Sequence, residues 1–579
     1  MQKFYKYLIT IMCVSLFFVN AVDRLNAAPP ASGNQTSPGT QIKHDKQLRD
    51  NYRLESELKD GKPNIKVTID SPQKKQVTLD DKSDAKALML NKIIFTPESK
   101  ILSKDELNQI ISEYVGQKVS IRDLYKILAK IDALYDKKGF VARAVLPVQE
   151  VKDGIVKVQL VEAVIGKIDL STHPQSQANG SITGLLDGKL LDRLGFKEKQ
   201  LVNISRLERA LLRFNLLNNS KLQLQLAPGQ EVGQTNVKIN TLHPKPFELS
   251  YFIDNAGRYT TGNIRQGASI RALNVLGIGD SLFATGILAE GGGSSSAFVQ
   301  YAVPFTPYDT SLTFSFDYSD YQIVKGNLVA LSITGRSNTY TVGVTQPIVF
   351  NNNTVLRLYS NVAFYNASNY FDKVQQASNQ DVNITPGASL EWYGKKWTLT
   401  TDQSMSFGLT RFGGDDSYFL YAADFTAVYR PTNRWLFLGR FFGQITPDKI
   451  LPANRQFVLG GVSTVRGYSE AILTGNSGYS ARLEARFNAY RKNKGILDKR
   501  YSDSIDIFAF ADHGGAFPYK GAKQSINRND FLTSVGVGAS FDISNYMKGR
   551  VSVGFPLSEN THERQTKSAI FNFYFQFNF

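Results

Sequence analysis

The sequence ends, at residues 570–579, with Ile-Phe-Asn-Phe-Tyr-Phe-Gln-Phe-Asn-Phe, and no other stretch says as much about its fold. Successive side chains of a β-strand point to opposite faces. One face here carries only phenylalanines, namely Phe571, Phe573, Phe575, Phe577 and Phe579. Such a face would promote aggregation in water. In a closed membrane barrel the rings face lipid and the amides and tyrosine face a polar lumen. The stretch predicts a transmembrane β-barrel, with a core-facing strand of a soluble sandwich as the alternative.

The C-terminal region as a whole has the same pattern. Residues 246–579 alternate between aromatic-rich segments, such as Leu-Ser-Tyr-Phe-Ile at 249–253 and Val-Ser-Val-Gly-Phe at 551–555, and polar turns. A membrane strand with its turn takes roughly twenty residues, so the region predicts about 16 antiparallel strands. An even number of strands returns both ends of the barrel to the periplasm.

The N-terminus has the pattern of a secretion signal. Two lysines precede an apolar run at about residues 8–19, and small residues follow at Ala27 and Ala28. This predicts a signal peptide over residues 1–27, cleaved after Ala27 or Ala28. A retained membrane helix is the weaker alternative, because the apolar run is too short to span a bilayer. Cys13, the only cysteine, lies inside the signal, so disulfides and thiolate metal sites are not expected in the mature chain.

Composition limits the remaining classes of function. With 42% hydrophobic residues and a mean hydropathy of −0.23, the chain is not a bundle of membrane helices. The net charge of +16 could favour anionic lipid headgroups or an acidic partner, or simply reflect a basic soluble surface. Nucleic acid is not an expected partner of a secreted chain.

Residues 28–88 form a polar leader before the first compact module. Residues 28–40 are a flexible segment rich in Pro, Ser and Gly, and residues 61–88 are an irregular linker. Between them, residues 41–60 are charged and lack Gly and Pro, which is compatible with a helix. Its apolar stripe is too thin to pack a core and consists of Ile42, Leu48, Leu54 and Leu58. Such a helix needs solvent or a water-filled lumen around it.

Residues 89–164 predict a small α/β module of order β-α-α-β-β. A strand near 92–95 leads to a capping box at Ser103–Glu106, and a second helix opens at Ser120 and stops at Gly139. Two strands follow, near 141–146 and 155–161.

The same order recurs over residues 165–245, where Ser205 and Glu208 predict a helix cap. Two tandem copies indicate a repeat unit rather than an enzyme domain.

These modules resemble POTRA domains. The resemblance rests on Tyr-Asp-Lys-Lys-Gly-Phe at 135–140, Ala-Val-Leu-Pro at 144–147, Asp153-Gly154 and Val161-Glu162. The family usually has glycine after that glutamate, whereas this chain has Ala163, which affects only the local turn.

Three further stretches resemble the outer-membrane transporters of two-partner secretion, the haemolysin secretion/activation (ShlB/FhaC/HecB) type. They are Asp-Asn-Ala-Gly-Arg-Tyr-Thr-Thr-Gly at 254–262, Asn-Val-Leu-Gly-Ile-Gly-Asp at 274–280, and Leu-Gly-Gly-Val-Ser-Thr-Val-Arg-Gly-Tyr at 459–468. The resemblance implies that Val465, Arg466, Gly467 and Tyr468 form the tip of a sixth extracellular loop folded into the lumen. It gives Asp512, in Phe-Ala-Asp-His-Gly at 510–514, as the expected partner of Arg466.

The resemblance also implies other functional segments. The strand at 141–146, with Val141, Arg143, Val145 and Leu146, is a candidate edge to which an unfolded client adds its backbone. The competing interpretation is that this edge only docks the second module. Residues 41–60 match the position of a helix that plugs the barrel in some members. The terminal phenylalanines resemble the signal by which outer-membrane barrels are recognised for insertion, which implies the barrel-assembly machinery as a partner.

No catalytic constellation is visible, and neither an enzyme activity nor a cofactor is expected. His44, His173, His243, His513 and His562 are scattered without metal-ligand spacing. The sequence therefore predicts a mainly β transmembrane barrel preceded by two POTRA modules, in the outer membrane of a Gram-negative bacterium. The resemblance implies capture of one large unfolded exoprotein in the periplasm and its export, either with or without activation during passage. The exoprotein is of the adhesin, haemolysin or contact-dependent toxin type, and the barrel is surrounded by outer-membrane lipid. A barrel-assembly factor of the same superfamily and a passive porin are the alternatives.

Overall fold

The structure is a computed structural model that describes residues 37–60, 69–70, 87–170, 187–218, 220–242, 245–447, 450–518, 528–558 and 569–579. The predicted signal peptide at 1–27 and most of the predicted leader and linker lie outside the described residues. The chain forms two compact units, one of Met1–Pro63, Lys245–Leu276 and Asp280–Phe579, the other of Asn64–Pro244 and Gly277–Gly279. The first unit begins with helix α1, Pro38–Asp60. Each helix in the described ranges is too short or too polar to cross a membrane.

The second unit contains the first α/β module. Its elements are β2 Leu88–Met89, β3 Lys92–Thr96, α2 Lys104–Ile111, β4 Lys118–Val119, α3 Ile121–Lys137, β5 Ala142–Val145 and β6 Ile155–Glu162. The short strand β1, Ile69–Asp70, precedes this module within the predicted linker and joins the sheet of the second module instead. Strand β6 is central, parallel to β3 and antiparallel to β5, so β5 is an edge. Both helices start with a complete capping box, Ser103 with Glu106 and Ser120 with Asp123. The helices cover one face of the sheet through a shared apolar core.

The second module follows without a gap in the same unit. Its elements are β7 Val164–Asp169, α4 Asp187–Leu194, α5 Ile204–Leu217, β8 Lys221–Pro228 and β9 Gln234–Leu242. The sheet order is β1-β8-β9-β7. The predicted cap at Ser205 is wrong, because Asn203 is the capping residue and its side chain accepts a 2.9 Å bond from Arg206 N. Asn and Ser cap helices almost equally well, and the helix begins at the earlier of the two.

The first unit is dominated by a closed barrel of 16 antiparallel strands, the number the sequence predicts. The strands are β10 Phe247–Asp254, β11 Arg265–Leu273, β12 Ser281–Ala289, β13 Ser294–Pro304, β14 Ser311–Gln322, β15 Thr334–Phe350, β16 Thr354–Phe371, β17 Val374–Tyr393, β18 Trp397–Gly408, β19 Phe419–Tyr429, β20 Trp435–Ile445, β23 Ser477–Lys492, β24 Asp503–Phe517, β25 Phe531–Ile543, β26 Met547–Pro556 and β27 Ile570–Asn578. Two short strands, β21 Phe457–Leu459 and β22 Leu473–Gly475, pair with each other outside the barrel sheet. Strand β27 pairs with both β26 and β10, which closes the barrel.

The two faces of the barrel wall have different chemistry, as period-two alternation requires. Phe425 and Leu483 face outward and keep 47% and 64% of their surface exposed. Their strand neighbours Asp424 and Arg482 point into the lumen, where Asp424 pairs with Arg440 at 2.6 Å and Arg482 is buried. An apolar outer band around a charged interior is what a membrane barrel needs.

The terminal strand follows this rule. Tyr574 faces the lumen, where it stacks on Tyr52 of α1 with ring centroids 4.1 Å apart. Phe573 belongs to the opposite face and packs beside Ile253 and Ile264. Phe571 and Phe575 flank it at ring distances of 6.2 and 5.6 Å.

Candidate functional site

The candidate site is the lumen of the barrel, and its centre is the loop between β20 and β23. This loop, residues 446–476, is called loop 6. Its segments β21 and β22 form a hairpin whose side chains are buried with the inner face of the barrel wall. The apolar cluster that holds it contains Phe457, Leu459, Val465, Tyr468, Ile472 and Leu473, with Ala516 and Leu532 from the wall. Loop 6 thus folds back into the barrel instead of standing in solvent.

Arg466 at the tip of loop 6 is buried and paired with two carboxylates. Its Nε donates to Asp512 Oδ2 at 2.7 Å and its Nη2 to Asp512 Oδ1 at 2.8 Å, which is a bidentate pair. Its Nη1 donates to Glu484 Oε2 at 2.7 Å. The guanidinium also lies over the ring of Phe510, with its central carbon 3.6 Å from the ring centroid. The structure therefore brings together Arg466 and Asp512, the two residues that the family resemblance paired.

Glu484 is a member of this site that the sequence analysis missed. Besides Arg466, it accepts a bond from Arg550 Nη2 at 2.6 Å and one from Arg486 Nε at 2.5 Å. One carboxylate therefore joins the tip of loop 6 to strands β23 and β26. The only sequence signal for it was a charged residue at a lumen-facing position of a strand, because Glu484 and Arg482 share one face.

The other tip residues explain why this short motif suits the position. Gly467 has φ +91°, and a Cβ on it would lie 2.9 Å from the carbonyl carbon of Gly554, so no side chain fits. Tyr468 Oη lies 2.8 Å from the carbonyl oxygens of Thr533 and Ser558. Val465 is fully buried in the apolar cluster. Each residue of the motif thus attaches the tip to the wall in a different way.

Helix α1 lies inside the lumen. Its Asp45 pairs with Arg265 at 3.1 Å, and Arg265 forms a bidentate pair with Asp254 at 2.9 Å for both bonds. Its Arg49 reaches Asp317 on β14 at 2.5 Å. Strands on different sides of a closed barrel can be contacted at once only from within.

The same helix contacts loop 6 and the wall next to it. His44 Nε2 lies 2.9 Å from Glu470 Oε2 of loop 6. Asn51 Oδ1 accepts a 2.8 Å bond from Arg482 Nη1. Ile42 and Leu48, from the predicted apolar stripe, are buried, whereas the side chains of Leu54 and Leu58 lie outside the described residues. Charged and polar partners hold this helix in the lumen, so a thin apolar stripe is sufficient to keep it there.

The candidate client edge in the first module is partly engaged within its own unit. Val141 N donates to Val202 O of the second module at 3.0 Å, so this end docks the neighbour. Further along, Val145 is 42% exposed and Leu146 packs against the module core. Arg143 Nη1 and Ala144 N both donate to Asp132 of α3, at 2.9 and 2.8 Å. Asp132 therefore occupies a backbone donor that an added strand would need.

His513 has hydrogen-bond partners of its own in the barrel wall. His513 contacts Tyr479 Oη and Thr533 Oγ1, each at 2.8 Å, and does not meet the Arg466 network. Across the described ranges, no three His, Cys, Asp or Glu side chains converge as metal ligands.

Two protein-family models and a named relative show which proteins this chain resembles. A family model described as haemolysin secretion/activation protein ShlB/FhaC/HecB matches residues 233–541, and a model of the ShlB-type POTRA domain matches residues 89–163. The chain is similar to the heme/hemopexin transporter protein HuxB of Haemophilus influenzae, at 26% identity over 96% of both chains.

Two solved structures share the fold. CdiB from Escherichia coli aligns with a TM-score of 0.68 and 19% identity, over 95% of this chain and 100% of that chain. BamA from Haemophilus ducreyi lacking POTRA domains 1–3 aligns with a TM-score of 0.54 and 15% identity, over 85% of this chain and 100% of that chain.

Proposed function

The chain belongs to the haemolysin secretion/activation family ShlB/FhaC/HecB, whose model covers residues 233–541 of 579, and from this membership we propose how it exports its partner. It is an outer-membrane transporter of two-partner secretion, with POTRA modules in the periplasm, and it works with a secreted exoprotein. The observation that carries the mechanism is the lumen itself, filled by helix α1 and by loop 6 with Arg466 between two carboxylates.

We assign one dedicated client to this transporter, a large exoprotein of the adhesin, haemolysin or contact-dependent toxin type. One relative is named as a heme/hemopexin transporter and another as a hemolysin transporter, so the relatives are named for more than one kind of cargo. The working division of the chain is a signal peptide at 1–27, a leader at 28–88, modules at 89–164 and 165–245, and the barrel from 246 to 579.

Capture takes place in the periplasm, at the edge strand of the first module. An extended client can add to β5 through backbone hydrogen bonds, which do not depend on its side chains. The exposed side chains of Arg143 and Val145 lie on this strand. The carboxylate of Asp132 must leave Ala144 N before a client carbonyl can take its place.

Passage requires helix α1 to leave the lumen. The helix is held by ion pairs and hydrogen bonds rather than by a large apolar face, and polar contacts exchange readily with water once the lumen opens. The tip of loop 6 stays attached to the barrel wall through Arg466, which keeps loop 6 in a fixed position inside the lumen. Folding of the client outside the cell supplies the direction of transport.

Two further partners belong to this proposal. The terminal phenylalanines present the signal that the barrel-assembly machinery recognises during insertion, and outer-membrane lipid contacts the apolar outer band. The transporter acts by binding its client and letting it pass, and no enzyme activity is assigned to it. A barrel-assembly role is the competing function, favoured only by the likeness of the fold to BamA. A passive porin would have no use for two POTRA modules.

The test is comparative proteomics of culture supernatant and outer membrane from cells with and without this gene. Loss of one or a few large exoproteins from the supernatant, with other barrels unchanged, supports dedicated export. Depletion of many outer-membrane barrels would instead indicate an assembly factor. Unchanged fractions would leave only a porin.

A further inference from the structure

A second buried charge cluster attaches loop 6 to the barrel through residues other than those that hold Arg466. Its centre is Asp381 on β17, which is 1% exposed. Arg455 Nε and Asn454 Nδ2, both from loop 6, donate to Asp381 Oδ2 at 2.9 and 3.0 Å. Tyr418 Oη, from the loop between β18 and β19, donates to Oδ1 at 2.9 Å. One carboxylate therefore connects a barrel strand with two extracellular loops.

The position of this cluster gives it a different role from that of the tip. Loop 6 starts at β20, and β17 lies three strands away in the order β17-β18-β19-β20. The first part of loop 6, residues 450–459, is called its outer arm. Because β18 and β19 lie between β20 and β17, the outer arm must cross the ends of these two strands to reach Asp381. The tip reaches β23 and β24 on the other side of β20. The two attachments share no residue.

The outer arm is fixed by more than one contact near Asp381. Gln444 Nε2 on β20 donates to Arg455 O at 2.8 Å. Leu451 is buried with Tyr418 and Leu420 in a small apolar cluster. By contrast, a hydrogen bond from α1 to the arm, from Gln47 Nε2 to Val458 O, is 3.4 Å long, near the upper limit for such a bond. The arm is thus attached to the wall more firmly than to the helix.

We propose that Asp381 is a positioning residue that makes the outer arm of loop 6 a fixed wall of the export path. A buried carboxylate with an arginine and three neutral donors, the third being Asn383 Nδ2 of its own strand at 3.0 Å, is a rigid link, because losing Arg455 leaves its charge buried without a cation. The arm therefore stays in place when α1 leaves the lumen. This inference rests on the proposed export function, but its first test needs no client.

The first test is cleavage of loop 6 by proteinase K on intact cells. Arg455→Met and Asp381→Asn release the arm, so cleavage should become about tenfold faster or more, since local opening sets the rate. Arg455→Lys keeps the charge and should stay near the unmodified rate. Arg336→Met is the matched control, because Arg336 is 65% exposed and pairs with Asp320 only at 3.9 Å. Heat-modifiable migration of each variant confirms that the barrel is folded. Unchanged cleavage in folded Arg455→Met and Asp381→Asn would overturn the anchor.

The second test asks whether the arm moves during export. Cysteines placed by Asp381→Cys and Arg455→Cys can be joined by a short, reducible bifunctional thiol reagent, since Cys13 is the only native cysteine. Export by the joined protein within about twofold of the unmodified protein supports a fixed arm, a difference of well under 1.4 kcal/mol. Export that stops on joining and returns on reduction would overturn it.

A parallel pair, His44→Cys with Glu470→Cys, joins α1 to loop 6 and should block export reversibly. Continued export by that joined form would count against movement of the helix, which belongs to the proposed function. It would leave the assignment of Asp381 unaffected, so the two failures can be told apart.

Discussion

Replacing Arg466 by alanine is the most demanding perturbation of the lumen. The side chain is 1% exposed and makes three charge-assisted bonds, two to Asp512 and one to Glu484. After truncation, Glu484 keeps Arg486 and Arg550, at 2.5 and 2.6 Å. The nearest remaining cation to Asp512 is Arg482 Nε at 3.9 Å, which is too long for a hydrogen bond. The loss therefore falls mainly on Asp512.

The magnitude follows from leaving that carboxylate buried without its partner. Breaking one half of a buried pair costs roughly 3–5 kcal/mol. Each 1.4 kcal/mol is a factor of ten, so docking of the tip weakens by roughly a hundred- to several-thousand-fold. The barrel itself should still insert, because its strand ladder does not depend on Arg466. Arg466→Lys keeps the charge but cannot form the bidentate pair, so it should restore only part of the export.

The assay is the rate at which exoprotein appears in the supernatant, with heat-modifiable migration as the measure of barrel folding. Arg500→Ala is the matched control, since Arg500 also forms a close pair, with Asp498 at 2.6 Å, but is 75% exposed. Exposed pairs contribute little. We expect Arg466→Ala to insert normally and to lose most export, and Arg500→Ala to export normally. Normal export by Arg466→Ala, or an equal defect in the control, would refute the reasoning.

Three further predictions concern the other elements. Deleting residues 41–60 removes the helix from the lumen and should raise single-channel conductance; an unchanged conductance would remove its role as a plug. Asp132→Ala frees the backbone donor of Ala144 and should tighten binding of an unfolded client segment several-fold; weaker or equal binding in a pull-down would argue against strand addition at this edge. Hydrogen bonds from the Lys126 side chain and then from Ser120 N lower the pKa of Asp123 to about 2, from 3.8. Because the folded pKa is the lower one, the stabilisation is complete above about pH 4 and is lost as pH falls through about 2. Amides in the first turn of α3 should exchange more slowly in the unmodified protein than in Asp123→Asn at pH 5, and equally fast near pH 2. A difference in exchange rate that is the same at both pH values would contradict the role of the Asp123 carboxylate in the cap.

Local patterns allowed much of the fold to be predicted from the sequence. The alternation at residues 570–579 and along the other strands fixes which side chains face lipid, because it depends only on the period of a strand. Capping boxes at Ser103 and Ser120 locate two helix starts within a residue, because they depend on neighbours three positions apart. At Asn203 and Ser205 the same rule offers two candidates, and sequence alone does not choose between them.

The lumen contacts could be predicted only where a motif marked them. Arg466 and Asp512 belong to stretches that resemble the family, whereas Glu484, Asp381 and Arg265 do not. Their partners are brought close by barrel closure and strand register, as with His44 and Glu470, 426 positions apart. The usable signal is a charged residue at a lumen-facing position of a strand, since burial there requires a partner. That signal identifies the charged residue but does not identify its partner.

The central claim, that the exoprotein passes through this lumen, is tested most directly by site-specific photo-cross-linking during export. Ser404 and Met405 are neighbours on β18 and point to opposite faces. Met405 is 47% exposed on the outer side, and Ser404 faces the lumen beside Tyr359. A photoreactive amino acid at Ser404 should give an adduct with the exoprotein identified by the secretome comparison, and one at Met405 should give none. Adducts from neither position, while the periplasmic modules still cross-link, would contradict transport through the barrel.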